Sequence, residues 1–85
     1  MAYTILLRPA AERDRRNLPP DLRPRITEAI LRLEDDPRPS GAVKLSGHQK
    51  RWRVRVGDYR ILYEVDDAAR QALILRIAHR REVYR

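Results

Sequence analysis

The sequence predicts an α+β domain, an antiparallel β-sheet packed against an N-terminal helical hairpin in the order β-α-α-β-β-β. Three observations predict it. A β-rich run opens the chain, Tyr3-Thr4-Ile5-Leu6-Leu7. An apolar stripe of helical period follows, at Leu22, Ile26, Ala29, Ile30 and Leu33. From Trp52 onward apolar and polar residues alternate, and Gly57-Asp58 interrupts them with the residues of a tight hairpin turn.

The elements follow in order. After the first strand, Pro9 stands where a helix would begin, since its missing N–H is not needed there. The stretch from Ala10 to Asn17 is short and polar, with Ala10, Ala11, Asp14 and Leu18 on about one face. Leu18-Pro19-Pro20 breaks the chain between two helices. The second helix carries the apolar stripe, with Thr27, Glu28, Arg32, Glu34 and Asp35 off it. Pro24 lacks an amide to donate, so the regular helix is expected to begin near it. Asp36-Pro37-Arg38-Pro39-Ser40-Gly41 ends it. Glycine at the first central position of Gly57-Asp58 fits a type II′ turn, and Tyr59 to Val65 is the return strand. Ala72 to Ala78 is nearly all apolar, as in a strand covered on both faces. The tail from His79 to Arg85 is polar with one late aromatic, Tyr84.

Composition narrows the function. Eighty-five residues suit a single domain spanning 1–85. There is no cysteine, hence no disulfide and no thiol chemistry. His48 and His79 are too few and too far apart in sequence to suggest zinc, and no cofactor or metal is expected. No apolar run approaches the ~20 residues of a membrane span, and the N-terminus lacks a secretory layout, so a soluble cytoplasmic protein is expected. Nineteen Lys and Arg against twelve Asp and Glu give a net charge of +7. Such a field favours a polyanionic partner: nucleic acid, an anionic membrane surface or an acidic protein. All the basic residues but Lys44 and Lys50 are arginine. Genome composition gives that bias, and so does a need for forks that bind phosphate bidentately. No stretch joins a basic face to a large apolar one, which makes the membrane the weakest of the three partners.

Pairing the hairpin through its two-residue turn sets Val56 opposite Tyr59, Arg55 opposite Arg60, Val54 opposite Ile61, Arg53 opposite Leu62 and Trp52 opposite Tyr63. Side chains alternate between faces. One face is then core material: Trp52, Val54, Val56, Tyr59, Ile61 and Tyr63. The other carries Arg53, Arg55 and Arg60 beside Leu62 and Glu64. Arg55 opposite Arg60 is a like-charge pair that costs a few tenths to ~1 kcal/mol. Selection for folding alone would avoid it; an incoming phosphate would relieve it. The alternative is a solvated polar face whose arginines keep the sheet soluble. The last strand returns antiparallel through the loop from Asp66 to Gln71. It brings Ala78 near Arg60, so His79 and Arg80 are expected at the end of the sheet that holds Arg55 and Arg60, with Tyr84 close behind.

That set suits metal-free RNA cleavage. There is no carboxylate cluster for Mg²⁺, no Gly-rich phosphate loop and no Ser/His/Asp or Cys/His arrangement. An RNA 2′-hydroxyl can attack its own phosphate if its proton is taken. Arginines can neutralise the charge that develops, and a donor can protonate the leaving 5′-oxygen. His79 is the residue of the set whose ordinary pKa, ~6.5, suits proton transfer near neutrality, though it could equally cap the strand end. Tyr84 could donate a proton, stack on a displaced base or fill the core. His48 reads as loop, Tyr3 and Trp52 as core.

Three stretches carry a family likeness: Lys44-Leu45-Ser46-Gly47; the run from Trp52 through Gly57-Asp58-Tyr59-Arg60 to Val65; and Ile77-Ala78-His79-Arg80-Arg81-Glu82-Val83-Tyr84. Together with the Leu18-Pro19-Pro20 break and the Asp36-Pro37-Arg38 helix exit, they make the chain resemble the RelE/ParE toxin superfamily, most closely its RelE-type mRNA interferases, over essentially its whole length. The resemblance implies a microbial-RNase-like fold, a type II toxin–antitoxin system, and a toxin that enters the ribosomal A site, cuts mRNA there and inhibits translation. It implies a neutralising, acidic, RelB-like antitoxin. It implies catalytic roles for Arg60, Arg80 and Tyr84, with His79 just before the second arginine where the family varies. Arg53, Arg55 and Lys44 would contact substrate. Some relatives carry Lys where this chain has Arg53 and Arg55, with Lys as the base. Arg stays protonated and is a poor base, so either His79 takes the proton or the cluster works by electrostatics. Two other readings share the fold: a ParE-type inhibitor of DNA gyrase, and a catalytically degenerate RNA- or antitoxin-binding module.

Overall fold

The computed structural model describes residues 2–47 and 50–83, with the backbone alone for the last two. The chain runs β1 (Thr4–Leu7), α1 (Pro9–Arg16), α2 (Arg23–Arg32), β2 (Val43–Lys44), β3 (Arg51–Val56), β4 (Tyr59–Asp66), β5 (Gln71–His79) and α3 (Arg80–Val83). The five strands form one sheet in the order β1-β5-β4-β3-β2. The α+β class and the order of the main elements are those the sequence predicts. Three details differ. β1 lies parallel to β5, with Thr4 opposite Gln71 and Leu7 opposite Ile74, so the sheet is mixed rather than wholly antiparallel. A two-residue strand, β2, pairs with the outer edge of β3 at Arg53 and Trp52. The start of the polar tail is a single helical turn, α3.

The two longer helices cover one face of the sheet. Proline stands in the first turn of each, where its missing N–H costs nothing. Ala11, Leu18, Ile26, Ile30 and Leu33 from the helical layer meet Ile61, Tyr63, Val65, Ile74 and Ile77 from the sheet. Trp52, Val54, Val56 and Tyr59 pack on the same core, half-buried. The β3–β4 register is the predicted one, residue for residue, from Val56 opposite Tyr59 to Trp52 opposite Tyr63. Gly57 sits at φ 58 and Asp58 does not share that sign, as a type II′ turn requires.

β5 contains a bulge. Leu62 pairs with Arg76 but Tyr63 pairs with Ile74, so Leu75 is the extra residue. Before it, Ala72 and Ile74 face the helices; after it, Ile77 and His79 do. β1 ends opposite Ile74, and beyond that point α1 flanks β5. Asp14 of α1 substitutes for the missing strand. Its Oδ2 accepts the Ile77 backbone N–H at 2.9 Å and Arg76 Nε–H at 2.7 Å. Asp14→Ala should leave the Ile77 amide without this acceptor and destabilise the fold by about 1–3 kcal/mol. Urea unfolding checks it, and Asp14→Asn, which keeps an acceptor, should lose less.

At the other end, three loops are tied together. Tyr3 donates its hydroxyl to Asp67 Oδ1 at 2.5 Å, and Arg38 Nη2 donates to Asp67 Oδ2 at 2.6 Å. The Arg38 guanidinium lies 5.5 Å from the centre of the Trp52 ring. Arg38, then Tyr3, hold the Asp67 carboxyl below the usual range. Among the described residues, no helix is long and apolar enough to cross a membrane.

Candidate nucleic-acid interface

The face of the sheet turned away from α1 and α2 carries the arginines. Register and alternation place Arg53, Arg55, Arg60, Leu62 and Glu64 on it, with Arg51 opposite Glu64. Charge is uneven along this face. At the Glu64 end, Arg51 Nε lies 2.9 Å from Glu64 Oε2, a cross-strand ion pair. At the hairpin end, Arg55 stands opposite Arg60. A two-residue turn makes Val56 and Tyr59 a hydrogen-bonded pair, so the next pair, Arg55 and Arg60, is a non-hydrogen-bonded one. Such pairs have the shorter Cα separation, about 4.5 Å, and the closer side chains. The sheet therefore concentrates positive charge where its geometry brings two side chains nearest.

The arginines differ in how they are held. Arg60 is half-buried, and its Nη1 is shut off from solvent. Arg53 and Arg60 each have an interaction partner in the fold. Arg55 is exposed and tethered to its own turn, with Nε donating to the Gly57 carbonyl at 3.2 Å. Arg80 begins α3, and its backbone N–H donates to the Asp58 carbonyl at 2.8 Å, which fixes it beside the hairpin turn. Among the described residues, Arg55 and Arg80 form no ion pair. Ala78, opposite Arg60, is buried, and α3 packs against β4 and β5 there. The hairpin end of the arginine face is thus a partly walled corner.

Two residues of the expected site lie elsewhere. His79 pairs with Tyr59, which puts it on the helical side of the sheet, and the two rings meet edge to face at 5.5 Å. Its Nδ1 accepts the Arg81 backbone N–H at 3.3 Å. With Asp14, Asn17 and Tyr59 it lines a small pocket of about 170 Å³, away from the arginine face. Lys44 pairs with Trp52 and is exposed; its register also places it on the side opposite Arg53. Tyr84 and His48 lie outside the described residues. Sequence reasoning missed Arg25 of α2. Its guanidinium nitrogens come within 3.9 and 4.0 Å of where a Cβ on Gly57 would sit, at the tip of the hairpin. An exposed arginine off the apolar stripe gave no signal of that reach.

A sheet with two covering helices and a basic outer corner at its hairpin end can be set beside known proteins. Residues 5–84 match the family model described as ParE toxin of type II toxin-antitoxin system, parDE. Toxin RelG of Mycobacterium tuberculosis is 34% identical over 86 residues, covering 100% of this chain and 99% of that protein. The toxin in the archaeal RelE–RelB complex from Pyrococcus horikoshii superposes with a TM-score of 0.84 at 28% identity, covering 96% of this chain and 99% of that one. The M. tuberculosis toxin–antitoxin complex RelBE2 gives a TM-score of 0.80 at 29% identity, over 93% and 99%. The chain belongs to the RelE/ParE superfamily of toxins from type II toxin–antitoxin systems.

Proposed function

We propose that this toxin is a ribosome-dependent, metal-independent endoribonuclease that enters the A site, cleaves mRNA and stops translation. The observation that carries the reading is the opposed Arg55–Arg60 pair with Arg80 fixed beside the same turn. A phosphodiester seated there receives guanidinium forks matched to its oxygens. In the reaction the 2′-hydroxyl passes its proton to a solvent water, the 2′-oxygen bonds to phosphorus, the bond to the 5′-oxygen breaks, and that oxygen takes a proton from Tyr84 or from solvent. The products end in a 2′,3′-cyclic phosphate and a 5′-hydroxyl. Arg60, partly buried and held, stabilises the charge on the non-bridging oxygens; Arg80 assists it, and Arg53 and Arg55 bind the neighbouring backbone. The position of His79, with Nδ1 engaged and the ring behind the sheet, favours catalysis led by electrostatics over a histidine base. Tyr84 remains a candidate donor to the leaving oxygen. Lys44 is left as a peripheral contact.

The partner that silences such a toxin is an acidic, RelB-like antitoxin; the P. horikoshii structure is a RelE–RelB complex and the M. tuberculosis one a toxin–antitoxin complex. The ParE name of the family model keeps gyrase inhibition as a second reading. Induction of the protein followed by primer extension on cellular mRNA separates the two. Breaks within coding sequence, fragments ending in cyclic phosphate and unimpaired DNA supercoiling are expected. Inhibited supercoiling with intact mRNA would overturn the nuclease. Induction without growth arrest would leave a binding module.

A further inference from the structure

We propose that the groove between α2 and the free edge of β3 is a second anion-binding surface, which takes the RNA backbone flanking the cleaved phosphate. The proposal rests on the nuclease reading and extends it to a surface off the arginine face. β2 pairs with β3 only at Arg53 and Trp52, so the edge of β3 from Val54 to Val56 is uncovered. α2 flanks that edge and Pro39-Ser40 closes one end, enclosing a groove of about 420 Å³. The Leu45 N–H donates to the Arg51 carbonyl, which sets the alternation of β3. Peptide groups at 51, 53 and 55 face outward, so the Arg55 N–H opens toward the groove with no strand opposite.

The cations are placed to match. Arg55, a lining residue of the groove, donates through Nε to the Gly57 carbonyl. Arg25 reaches the same glycine from α2. Two guanidiniums thus meet at one turn, and neither forms an ion pair among the described residues. Arg32 is a third, 2.7 Å from Glu28, and both side chains are well exposed. An exposed i,i+4 pair is weak enough for a phosphate to compete with it. Among the described residues, Glu28 is the one carboxylate lining the groove. Arg55 belongs to both surfaces, opposite Arg60 on the sheet face and at the rim of the groove. A single strand whose phosphate sits at Arg60 can pass over the hairpin tip to Arg25, with the exposed Asp58 carboxylate beside a path otherwise lined by Arg55 and Arg25. That continuity favours RNA over an acidic protein segment as the occupant.

The test is the affinity of the whole protein for a single-stranded RNA dodecamer made uncleavable by 2′-O-methylation, followed by anisotropy from 50 to 200 mM NaCl. Arg25→Gln should weaken binding roughly threefold to tenfold. It should also lower the slope of log affinity against log salt by about 0.7, one phosphate contact on a single strand. A trinucleotide, too short to span both surfaces, should bind wild type and variant alike. Arg13→Gln, the same charge change outside the groove, should move the slope less. Unchanged dodecamer affinity and slope in Arg25→Gln, with binding still lost in Arg60→Ala, would overturn the groove and leave the nuclease standing. Loss of an acidic antitoxin peptide in Arg25→Gln with RNA binding intact would also overturn it. A wild type that binds neither RNA would overturn the groove, while the nuclease reading keeps its own test on the ribosome.

Discussion

Arg60→Ala should reduce mRNA cleavage by about 10²–10³-fold, the loss that follows when one preorganised donor to a developing oxyanion is removed. Arg60 is half-buried in the corner, with Nη1 out of solvent. Such a group needs little reorganisation when charge builds on the phosphate. Arg60→Lys should recover only part of the rate, because a point charge replaces a planar fork. The variant should stay folded: relief of the repulsion with Arg55 offsets lost side-chain contacts, and the net change in stability should stay within about 1 kcal/mol. Single-turnover cleavage on programmed ribosomes measures the rate, and circular dichroism melting checks the fold. Arg13→Ala, an exposed substitution on α1, is the control. Wild-type cleavage by Arg60→Ala would dismiss the corner as the site.

Tyr63→Ala should destabilise the protein by about 3–5 kcal/mol, a large share of what a domain of this size has. Tyr63 heads the fully buried side chains, and its hydroxyl donates to the Pro37 carbonyl at 2.7 Å, which ties β4 to the exit of α2. Burial pushes its pKa up to about 12. The folded state therefore favours the neutral phenol. That contribution is whole below the unfolded value of ~10 and is lost as pH rises through about 12. Tyr3, raised by its hydrogen bond to Asp67, adds to the same alkaline decline. Tyr63→Phe should lose about 1–3 kcal/mol at neutral pH, because the Pro37 carbonyl loses its donor. It should also fall less steeply between pH 10 and 12. Urea midpoints across that range give both results, and identical alkaline profiles for wild type and Tyr63→Phe would refute the assignment.

Much of this was legible before any coordinates, for local reasons. A two-residue turn containing glycine sets the register of both flanking strands, so the Arg55–Arg60 opposition could be read directly from the spacing. The stripe from Leu22 to Leu33 gave α2 because helical period needs only neighbours to be seen. Partners distant in sequence leave no such trace. Nothing in Thr4–Leu7 says that it lies parallel to β5, and two residues are too few for β2 to show a period. The side taken by His79 was hidden for a sharper reason. An unbroken β5 counted from Ile74 would have sent residue 79 to the arginine face. The bulge at Leu75 reverses the alternation, and the run from Ala72 to Ala78 is too uniformly apolar to reveal where the reversal falls. Arg25 was missed because the groove it lines is built by the packing of α2 against a strand edge, which no single segment encodes.

The pairing of β1 with β5 governs when the molecule can exist during its own synthesis. Thr4 and its neighbours are made well before the strand they pair with. The hairpin, and with it the opposed arginines, is flanked on one side by that same late strand. A nascent chain therefore cannot complete the sheet, or hold its basic corner in place, until β5 has emerged. By topology alone, the basic corner waits for a strand that is made after it.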